Sequence, residues 1–386
     1  MYYNINKLEE TLFHTLLCII ENNTADGSQF QYFTIYDWYY FYGVSKKHGI
    51  DAIIGNEVCY GAAINYFQGE SMPKALKVKW ALRVEQIKKD YIKQRLVITK
   101  LAKFFHRYGI KMLLLKGYGL SLNYPDPQLR PCGDVDIWLF KESMNERGTL
   151  KRVLAQKDAD ELLKRHFDVK IDNNRHHHTV FYIDGVMIEN HYDFLNVHSH
   201  RSNRIVEARL QDLVQQNIEA TKLDGVEIFL HSANFNALFL LHHTAAHFAA
   251  DRIVTRHLLD WRYFVEHNWD KVHWDVLTKF AQMMNMHNFL GALNAICIKY
   301  LGLSPDFGLS IDVDSQLVER VAQEIIHPEF EELKPTNAGL VRSLSYMLRR
   351  WWTNRWKHRI CYRDSLISTF FVQLWSHLLK PKSLWI

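Results

Sequence analysis

The pattern of apolar and polar positions divides the chain into three parts. In the first hundred residues, apolar positions recur three and four residues apart, as in Val78–Arg107, and this spacing predicts amphipathic helices. From about Ile110 to Leu195, short apolar runs alternate with charged helical stretches, which predicts a sheet of roughly four to six strands. After about Asn203 the helical spacing returns and continues to the C-terminus. We therefore expect a strand-containing segment between two helical regions.

The predicted strands of the central segment are bounded by glycine turns. The run Ile110–Leu115 ends at Lys116-Gly117, and a second apolar run covers Val135–Phe140. The stretches HHHTVFYI and VMIENHYDFL are joined at Asp184-Gly185, which is a typical hairpin turn. The intervening stretch KESMNERGTLKRVLAQKDADELLKRH is charged, and its spacing favours a helix. The central segment therefore combines paired strands with helices.

Three carboxylates are predicted to lie on one face of this sheet. Residues two apart in a strand point to the same side, so Asp134 and Asp136 share a face. If Val186 and Ile188 face the core, Glu189 points the other way and lies beside the aspartates when the strands are neighbours. Clustered carboxylate oxygens bind hard cations such as Mg²⁺ or Mn²⁺. Without metal they repel, so we expect at least one raised pKa.

Ordinary acidic pairs are the alternative interpretation, because acids separated by one residue arise by chance in a chain with 42 of them. Asp158 and Asp160 are such a pair, and so are Asp312 and Asp314, which precede a helix and are typical capping residues. Only the pair at 134 and 136 follows a Lys-Gly turn and continues into an apolar strand. This context favours the metal site.

Composition narrows the class of protein. A hydrophobic content of 48% excludes a disordered chain, and a net charge of +5 is compatible with nucleotide or nucleic-acid partners without requiring them. The five cysteines are far apart and form no CxxC pair, which favours a reducing, cytoplasmic compartment. Because no apolar run reaches the length of a membrane span, we expect no transmembrane segment.

The motifs LLLKG, YPDPQLRP, GDVDIWLF and VMIENH together resemble those of uncharacterised bacterial nucleotidyltransferases of the polymerase-β-type superfamily. The resemblance implies an α+β fold in which a small mixed-sheet core at 109–203 is flanked by helical regions at 1–108 and 204–386. The implied metal ligands are Asp134, Asp136 and Glu189. The implied nucleotide-binding residues are Lys116, Gly117 and Arg130, and His191 matches a histidine that follows the third acid. The superfamily has Ser or Gly after the turn glycine, where this chain has Tyr118.

The activity that this resemblance implies is metal-dependent transfer of a nucleotidyl group from an NTP, such as ATP, to an acceptor hydroxyl. The acceptor hydroxyl belongs to a protein, an RNA, a sugar or another small molecule, and the sequence does not distinguish these. A first alternative is a non-catalytic module that binds a nucleotide or a partner on the same fold. Intact carboxylates favour the enzyme.

Histidines suggest a second alternative, a His-based metallohydrolase. His243 and His247 are four residues apart on a predicted helix, which is metal-ligand spacing, but Thr244 stands where an H-E-x-x-H motif has its glutamate. Helix-packing histidines, or residues that face the transferase cleft behind the metal ligands, are the favoured interpretation. His176, His177 and His178 are expected to be solvated or packed, since alternating strand positions cannot all line one site.

The C-terminal stretch from Leu348 interleaves arginine with tryptophan, as in LRRWWTNRWKHR. Such a basic aromatic tail is compatible with contact to a partner, including nucleic acid or a membrane surface. Arginine and tryptophan also pack between helices in ordinary proteins, with the guanidinium left in water. We favour packing and keep the partner contact as the alternative.

Overall fold

The computed structural model describes residues 7–21, 30, 33–60, 72–144, 149–309, 311–332 and 340–379. Within them the chain forms fifteen α-helices and a mixed sheet of seven strands, so the predicted α+β class is confirmed. The helices are α1 (Lys7–Ile20), α2 (Ile35–Lys47), α3 (Asp51–Tyr60), α4 (Lys74–His106), α5 (Tyr118–Ser121), α6 (Gln156–Phe167), α7 (Asn203–Gln216), α8 (Ala233–Ala250), α9 (Thr255–Asn268), α10 (Trp274–Met283), α11 (His287–Leu301), α12 (Ser315–Ile326), α13 (Leu340–Thr353), α14 (Arg355–Cys361) and α15 (Leu366–Leu379). The strands are β1 (Lys111–Leu114), β2 (Val135–Met144), β3 (Leu150–Leu154), β4 (His178–Ile183), β5 (Val186–His191), β6 (Ile218–Leu223) and β7 (Val226–His231).

The chain divides into two compact units. The first comprises Met1–Ile87, Leu129–Pro131 and Leu240–Arg363. The second comprises Lys88–Gln128, Cys132–Phe239 and Asp364–Ile386, and it contains the whole sheet.

The sheet of the second unit has the strand order β4-β5-β2-β1-β7-β6, and β3 pairs with the end of β2. Strand β2 is antiparallel to β1 and parallel to β5. One face of the sheet packs on α4 and α6, where Ile137, Leu139 and Ile188 join Phe105 and Leu163 in the hydrophobic core. Because side chains alternate along a strand, the neighbouring positions on β2 and β5 point to the opposite face.

Two strands lie where the sequence pattern predicted only helix. β6 and β7 follow residue 203 and form an antiparallel hairpin, and β7 pairs in parallel with β1. The expectation of an all-helical chain after Asn203 is therefore wrong for 218–231. The sequence IEATKL-DG-VEIFLH carries the same Asp-Gly hairpin signal as Asp184-Gly185, and both Asp224 and Gly225 adopt positive φ.

The charged stretch after β2 was also predicted as one helix, and the structure differs. Lys141–Met144 continue β2, and β3 pairs antiparallel with them before α6 begins at Gln156. Most side chains of β3 are exposed, although three of the five residues in LKRVL are apolar, so this strand shows no buried apolar face that would set it apart from the charged stretch around it. Edge strands of this kind are easily mistaken for helix when only hydrophobic spacing is considered.

The first unit is helical, with α9, α11 and α12 packed together around buried residues such as Leu259, Leu293 and Ile325. A buried ion pair joins α14 to α12, with Lys357 Nζ 2.5 Å from Glu324 Oε1. No disulfide joins the cysteines, all of which fall in the described part of the chain.

The basic aromatic stretch forms helices as far as it is described. The Arg355 guanidinium lies 4.5 Å from the ring centre of Trp352, and Arg320 lies 4.0 Å from that of Trp356. Arginine and tryptophan thus pack on one another, and contact with a partner stays a prediction. Among the described helices, none combines the length and apolarity that crossing a bilayer requires.

Candidate functional site

Two of the predicted acids meet through the register of β2 and β5. In this parallel pair Asp136 is the Cα partner of Glu189, and both lie on the face turned away from the core. Asp134 lies one residue before β2 begins and is half-buried. The alternation of the strand sequences therefore placed the carboxylates correctly, because the two strands are neighbours.

Asp136 is almost fully buried, with 1% of its surface exposed. Its Oδ1 lies 3.1 Å from Lys116 Nζ and 3.0 Å from His191 Nε2, which donates a hydrogen bond to it. Its Oδ2 has no hydrogen-bond partner within the residues that the structure describes. A buried carboxylate oxygen without a donor is costly, and a cation bound at this oxygen would satisfy it.

The charges at this point stabilise one another. Burial alone would raise the pKa of Asp136, but the Lys116 charge and the His191 hydrogen bond hold it well below its usual range. Burial opposes the charge of Lys116, yet the surrounding carboxylates raise its pKa above the ordinary value. For His191, burial lowers the pKa, but hydrogen bonds to Asp136 and Glu189 outweigh it and raise the pKa to about 9.

Asp134 behaves in the opposite way to Asp136. Burial and the neighbouring charge of Asp136 raise the pKa of Asp134. This is the raised carboxyl pKa expected when acids cluster without metal. The positive charge of Lys116 lies closest to Asp136. Asp134 therefore receives less compensation for its negative charge than Asp136 does.

Two histidines lie closer to the carboxylates than the sequence suggested. The rings of His177 and His178 lie 5.4 Å and 4.9 Å from that of His191, between centroids. His178 Nε2 is 3.4 Å from Glu189 Oε1, and His191 Nε2 is 3.5 Å from Glu189 Oε2. His178 is buried and His177 is partly buried, so both are packed as the sequence analysis allowed, and their packing brings them beside His191.

The three consecutive histidines do not all approach one site, as strand alternation predicted, and β4 itself begins only at His178. His177 precedes the strand, so the rule of opposite faces does not apply to it. His176 points elsewhere, with its ring 5.3 Å from that of His198. Burial lowers the pKa of His177 to about 2 and that of His178 to about 4, so both imidazoles are neutral near pH 7.

The Lys-Gly turn lies directly against the acids. Gly117 has φ +62°, and a Cβ at this position would lie 3.3 Å from the carbonyl oxygen of Asp134 and 3.9 Å from Asp136 Oδ2. Glycine is required at this position because the φ is positive and because the backbone of Asp134 leaves little room for a side chain. Helix α5, which follows, has a single turn, so its dipole contributes little to anion binding.

Tyr118, which stands where the resemblance implied Ser or Gly, is a core residue. It is buried, and its ring stacks on Tyr91 with 4.8 Å between centroids. A serine at this position would leave a gap in the core. Packing therefore explains why this chain has tyrosine here and lacks the serine hydroxyl.

Arg130 belongs to the first compact unit. Its guanidinium group forms an ion pair with a carboxylate of the same unit. Its Nε and one terminal nitrogen donate to the two oxygens of Asp260 at 2.7 Å and 2.9 Å, and both side chains are buried. Such a bidentate pair is rigid and strong. The predicted contact of Arg130 with a nucleotide stays a prediction.

His243 and His247 lie on α8 with their rings 4.5 Å apart. The described residues contain two groups able to hold a metal ion, one of His177, His178 and His191, the other of Asp136, Glu189 and His191. Neither group includes a histidine of α8. Among the described residues, the geometry therefore gives the metallohydrolase alternative no third ligand.

The second of these groups fits a hard divalent cation. One side-chain atom each of Asp136, Glu189 and His191 lies within 4.8 Å of the others, and because His191 Nε2 donates to Asp136, the two carboxylates are the ligands for such an ion. Two of the three are carboxylates, which Mg²⁺ and Mn²⁺ accept. The partnerless Oδ2 of Asp136 is the oxygen that such an ion would satisfy.

Comparison with known proteins gives one family and one solved structure. A family described as "Uncharacterised nucleotidyltransferase" matches residues 36–302. The crystal structure of an antigenic nucleotidyltransferase-like protein from Paracoccidioides brasiliensis is similar, at 16% identity and a TM-score of 0.30, over 44% of this chain and 73% of that one. A search of curated proteins found no match.

Proposed function

Because this chain belongs to the family of uncharacterised nucleotidyltransferases, we propose that it transfers a nucleotidyl group from an NTP to an acceptor hydroxyl with the help of divalent metal. The observation that carries the proposal is the pairing of Asp136 with Glu189 across parallel strands, together with the partnerless Oδ2 of Asp136. Oδ2 of Asp136 lies beside the Lys-Gly turn, where a Cβ on Gly117 would be 3.9 Å from it.

Asp134, Asp136 and Glu189 would hold Mg²⁺ or Mn²⁺. A bound divalent ion supplies compensation for the negative charge of the phosphates and of the reacting oxygens. The protein's own contribution begins with His191, which donates to Asp136 Oδ1 and so fixes the direction in which Oδ2 points. His191 is a positioning residue in this scheme.

Lys116 has two roles in succession. In the free protein its ammonium group compensates the buried charge of Asp136. Its side chain is 22% exposed, so it is near enough to the surface to turn towards a triphosphate once Asp136 has a cation. We propose that it then binds the phosphates as a point charge.

The transfer itself forms one bond and breaks another. The acceptor oxygen bonds to the α-phosphorus, the bond from that phosphorus to the oxygen bridging to the β-phosphate breaks, and pyrophosphate leaves. The acceptor proton goes to Glu189, which acts as the general base. Glu189 suits this role because it is the most accessible member of the group with Asp136 and His191.

The proposal does not specify which hydroxyl accepts the nucleotidyl group. Protein, RNA, sugar and small-molecule hydroxyls all satisfy the scheme. Incubating the protein with α-labelled ATP, GTP, CTP or UTP and separate cell fractions of each class would identify the acceptor by the fraction that retains label. The same assay gives the preferred NTP.

The test of the site is thermal melting and pyrophosphate release for the wild type and Asp136→Asn, with and without Mg²⁺ and an NTP analogue. The wild type should be stabilised by Mg²⁺, because the ion binds the folded state, and Asp136→Asn should not. Asp158→Asn is the matched control, since Asp158 is an exposed acid of the pair at 158 and 160 and contacts Lys141.

Equal stabilisation by Mg²⁺ in the wild type and Asp136→Asn would show that this carboxylate is not a metal ligand. A wild type that binds Mg²⁺ and the NTP analogue, yet releases no pyrophosphate with any acceptor class, would favour the non-catalytic nucleotide-binding module instead.

A further inference from the structure

We propose a second cation site in this chain, specific for a transition metal of the Zn²⁺ class and formed by His177, His178 and His191. The three side chains come from the segment before β4, from the first residue of β4 and from the end of β5. His178 and His191 are Cα partners in this antiparallel pair, so the strand register holds two of the ligands together.

The rings form a compact cluster. Their centroids are separated by 4.3 Å between His177 and His178, 4.9 Å between His178 and His191, and 5.4 Å between His177 and His191. One nitrogen from each ring lies within 4.8 Å of the others. In a tetrahedral zinc site the ligand atoms are about 3.3 Å apart, whereas these nitrogens are up to 4.8 Å apart. Rotations of the side chains that move each nitrogen by about 1 Å would bring the three to the spacing of a zinc site.

Two of the three rings have buried nitrogens without a hydrogen-bond partner among the described residues. His191 already contacts Asp136 Oδ1 through Nε2 and the carbonyl oxygen of Asp193 through Nδ1, so metal binding there would replace one of these contacts. His178 is 5% exposed, and neither of its ring nitrogens has a hydrogen-bond partner among the described residues. The buried Nδ1 of His177 is likewise without one in this part of the chain. Buried polar atoms left unsatisfied cost free energy, which coordination to a metal would recover.

The donor set selects the class of metal. Imidazole nitrogens suit Zn²⁺ and its neighbours in the first transition row, whereas Mg²⁺ prefers oxygen. Three histidines leave a fourth tetrahedral position for a water or for Glu189, whose Oε1 is 3.4 Å from His178 Nε2. The cluster therefore differs in chemistry from the carboxylate group, although both include His191.

The test uses the full-length, untagged protein, stripped with a chelator and dialysed against Zn²⁺ or Co²⁺. We expect one ion per chain, and X-ray absorption at the metal edge should show at least two imidazole ligands. This measurement needs no variant, so it stands even if a substitution unfolds the protein. Its readout is metal binding rather than transfer activity, so a failure of the proposed function does not decide it, although both proposals involve His191.

Substitutions then assign the ligands. His177→Ala and His178→Ala should each weaken Zn²⁺ binding by about a hundredfold or more, since loss of an outer partner alone costs about ten- to a hundredfold. His176→Ala is the matched control, because it removes the adjacent histidine, which contacts His198 instead, and should leave binding unchanged. Binding without imidazole ligands, or unchanged affinity in both folded variants, would overturn the proposal.

Discussion

Lys116 and Asp136 form an ion pair at the carboxylate site, with Nζ 3.1 Å from Oδ1 and the carboxylate buried. Lys116 follows β1 by two residues and Asp136 lies at the start of β2, and these two strands pair antiparallel. The ammonium group occupies one oxygen of a predicted metal ligand. A cation that binds Asp136 must therefore compete with a charge that the chain itself supplies.

Replacing Lys116 by methionine should strengthen Mg²⁺ binding in the absence of nucleotide and weaken binding of an NTP analogue. Removing a positive charge 3.1 Å from the carboxylate favours the incoming cation, by about tenfold or more, while the triphosphate loses a counter-charge. Isothermal titration with Mg²⁺ and with the analogue measures both effects. Lys111→Met is the control, because Lys111 lies at the start of β1 and its ion pair is with Glu142, away from the carboxylate site. Unaltered Mg²⁺ affinity would mean that Lys116 does not compete for the site.

Gly117→Ala should destabilise the protein by about 1–3 kcal/mol, because a residue with a side chain is strained at φ +62°. The new Cβ would also lie 3.3 Å from the carbonyl oxygen of Asp134. Gly133→Ala is the matched control, since no described atom lies within 4 Å of a Cβ there. Urea unfolding compares the two variants, and equal midpoints would contradict the strain assigned to the turn.

Stability should fall as the pH rises from about 4.5 to about 7 because of Glu207. Burial raises the pKa of this carboxyl from 4.5 to about 7, although hydrogen bonds from Gln211 and from the backbone of Phe194 and Leu195 oppose the shift. The folded state binds the proton more tightly, so its contribution is complete below the unfolded pKa and lost above the folded one. The full effect is roughly 3 kcal/mol at most.

The measurement is the free energy of unfolding against pH for the wild type and Glu207→Gln. The variant does not ionise and should lose this slope, even though glutamine satisfies only one of the two backbone donors and lowers stability overall. Glu219→Gln, on the exposed side of β6, is the control and should keep the slope. A slope that persists in Glu207→Gln must come from another group.

Lys357→Met should destabilise the helical unit by about 3–5 kcal/mol, because it leaves the buried carboxylate of Glu324 without its partner. Burial lowers the pKa of Lys357 and raises that of Glu324, so each charge depends on the other. The double variant Lys357→Met/Glu324→Leu should recover much of the loss. The exposed pair of Lys299 and Glu319, treated in the same way, should change stability by less than about 1 kcal/mol. A purely additive double-mutant cycle at 324 and 357 would contradict this coupling.

The sequence predicted the structure correctly where the geometry follows from a few neighbouring residues, as in strand alternation and hairpin turns. Strand alternation placed Asp136 and Glu189 on one face, and Asp184-Gly185 identified the hairpin of β4 and β5. The pairing of Arg130 with Asp260 was not predictable, because the two residues are 130 positions apart and no pattern links them. The position of His177 depended on where β4 begins, and strand boundaries are the least certain part of such a prediction.

The parallel pairing of β2 with β5 also has a consequence for the order of folding. The hydrogen bond from His191 to Asp136 joins residues 55 apart, so the site requires closure of a long loop, whereas β4 and β5 need only a tight turn. We expect the hairpins to form early and the carboxylates to converge late. Their mutual repulsion would then act on the last step of sheet assembly, and a divalent cation would speed that step rather than the first.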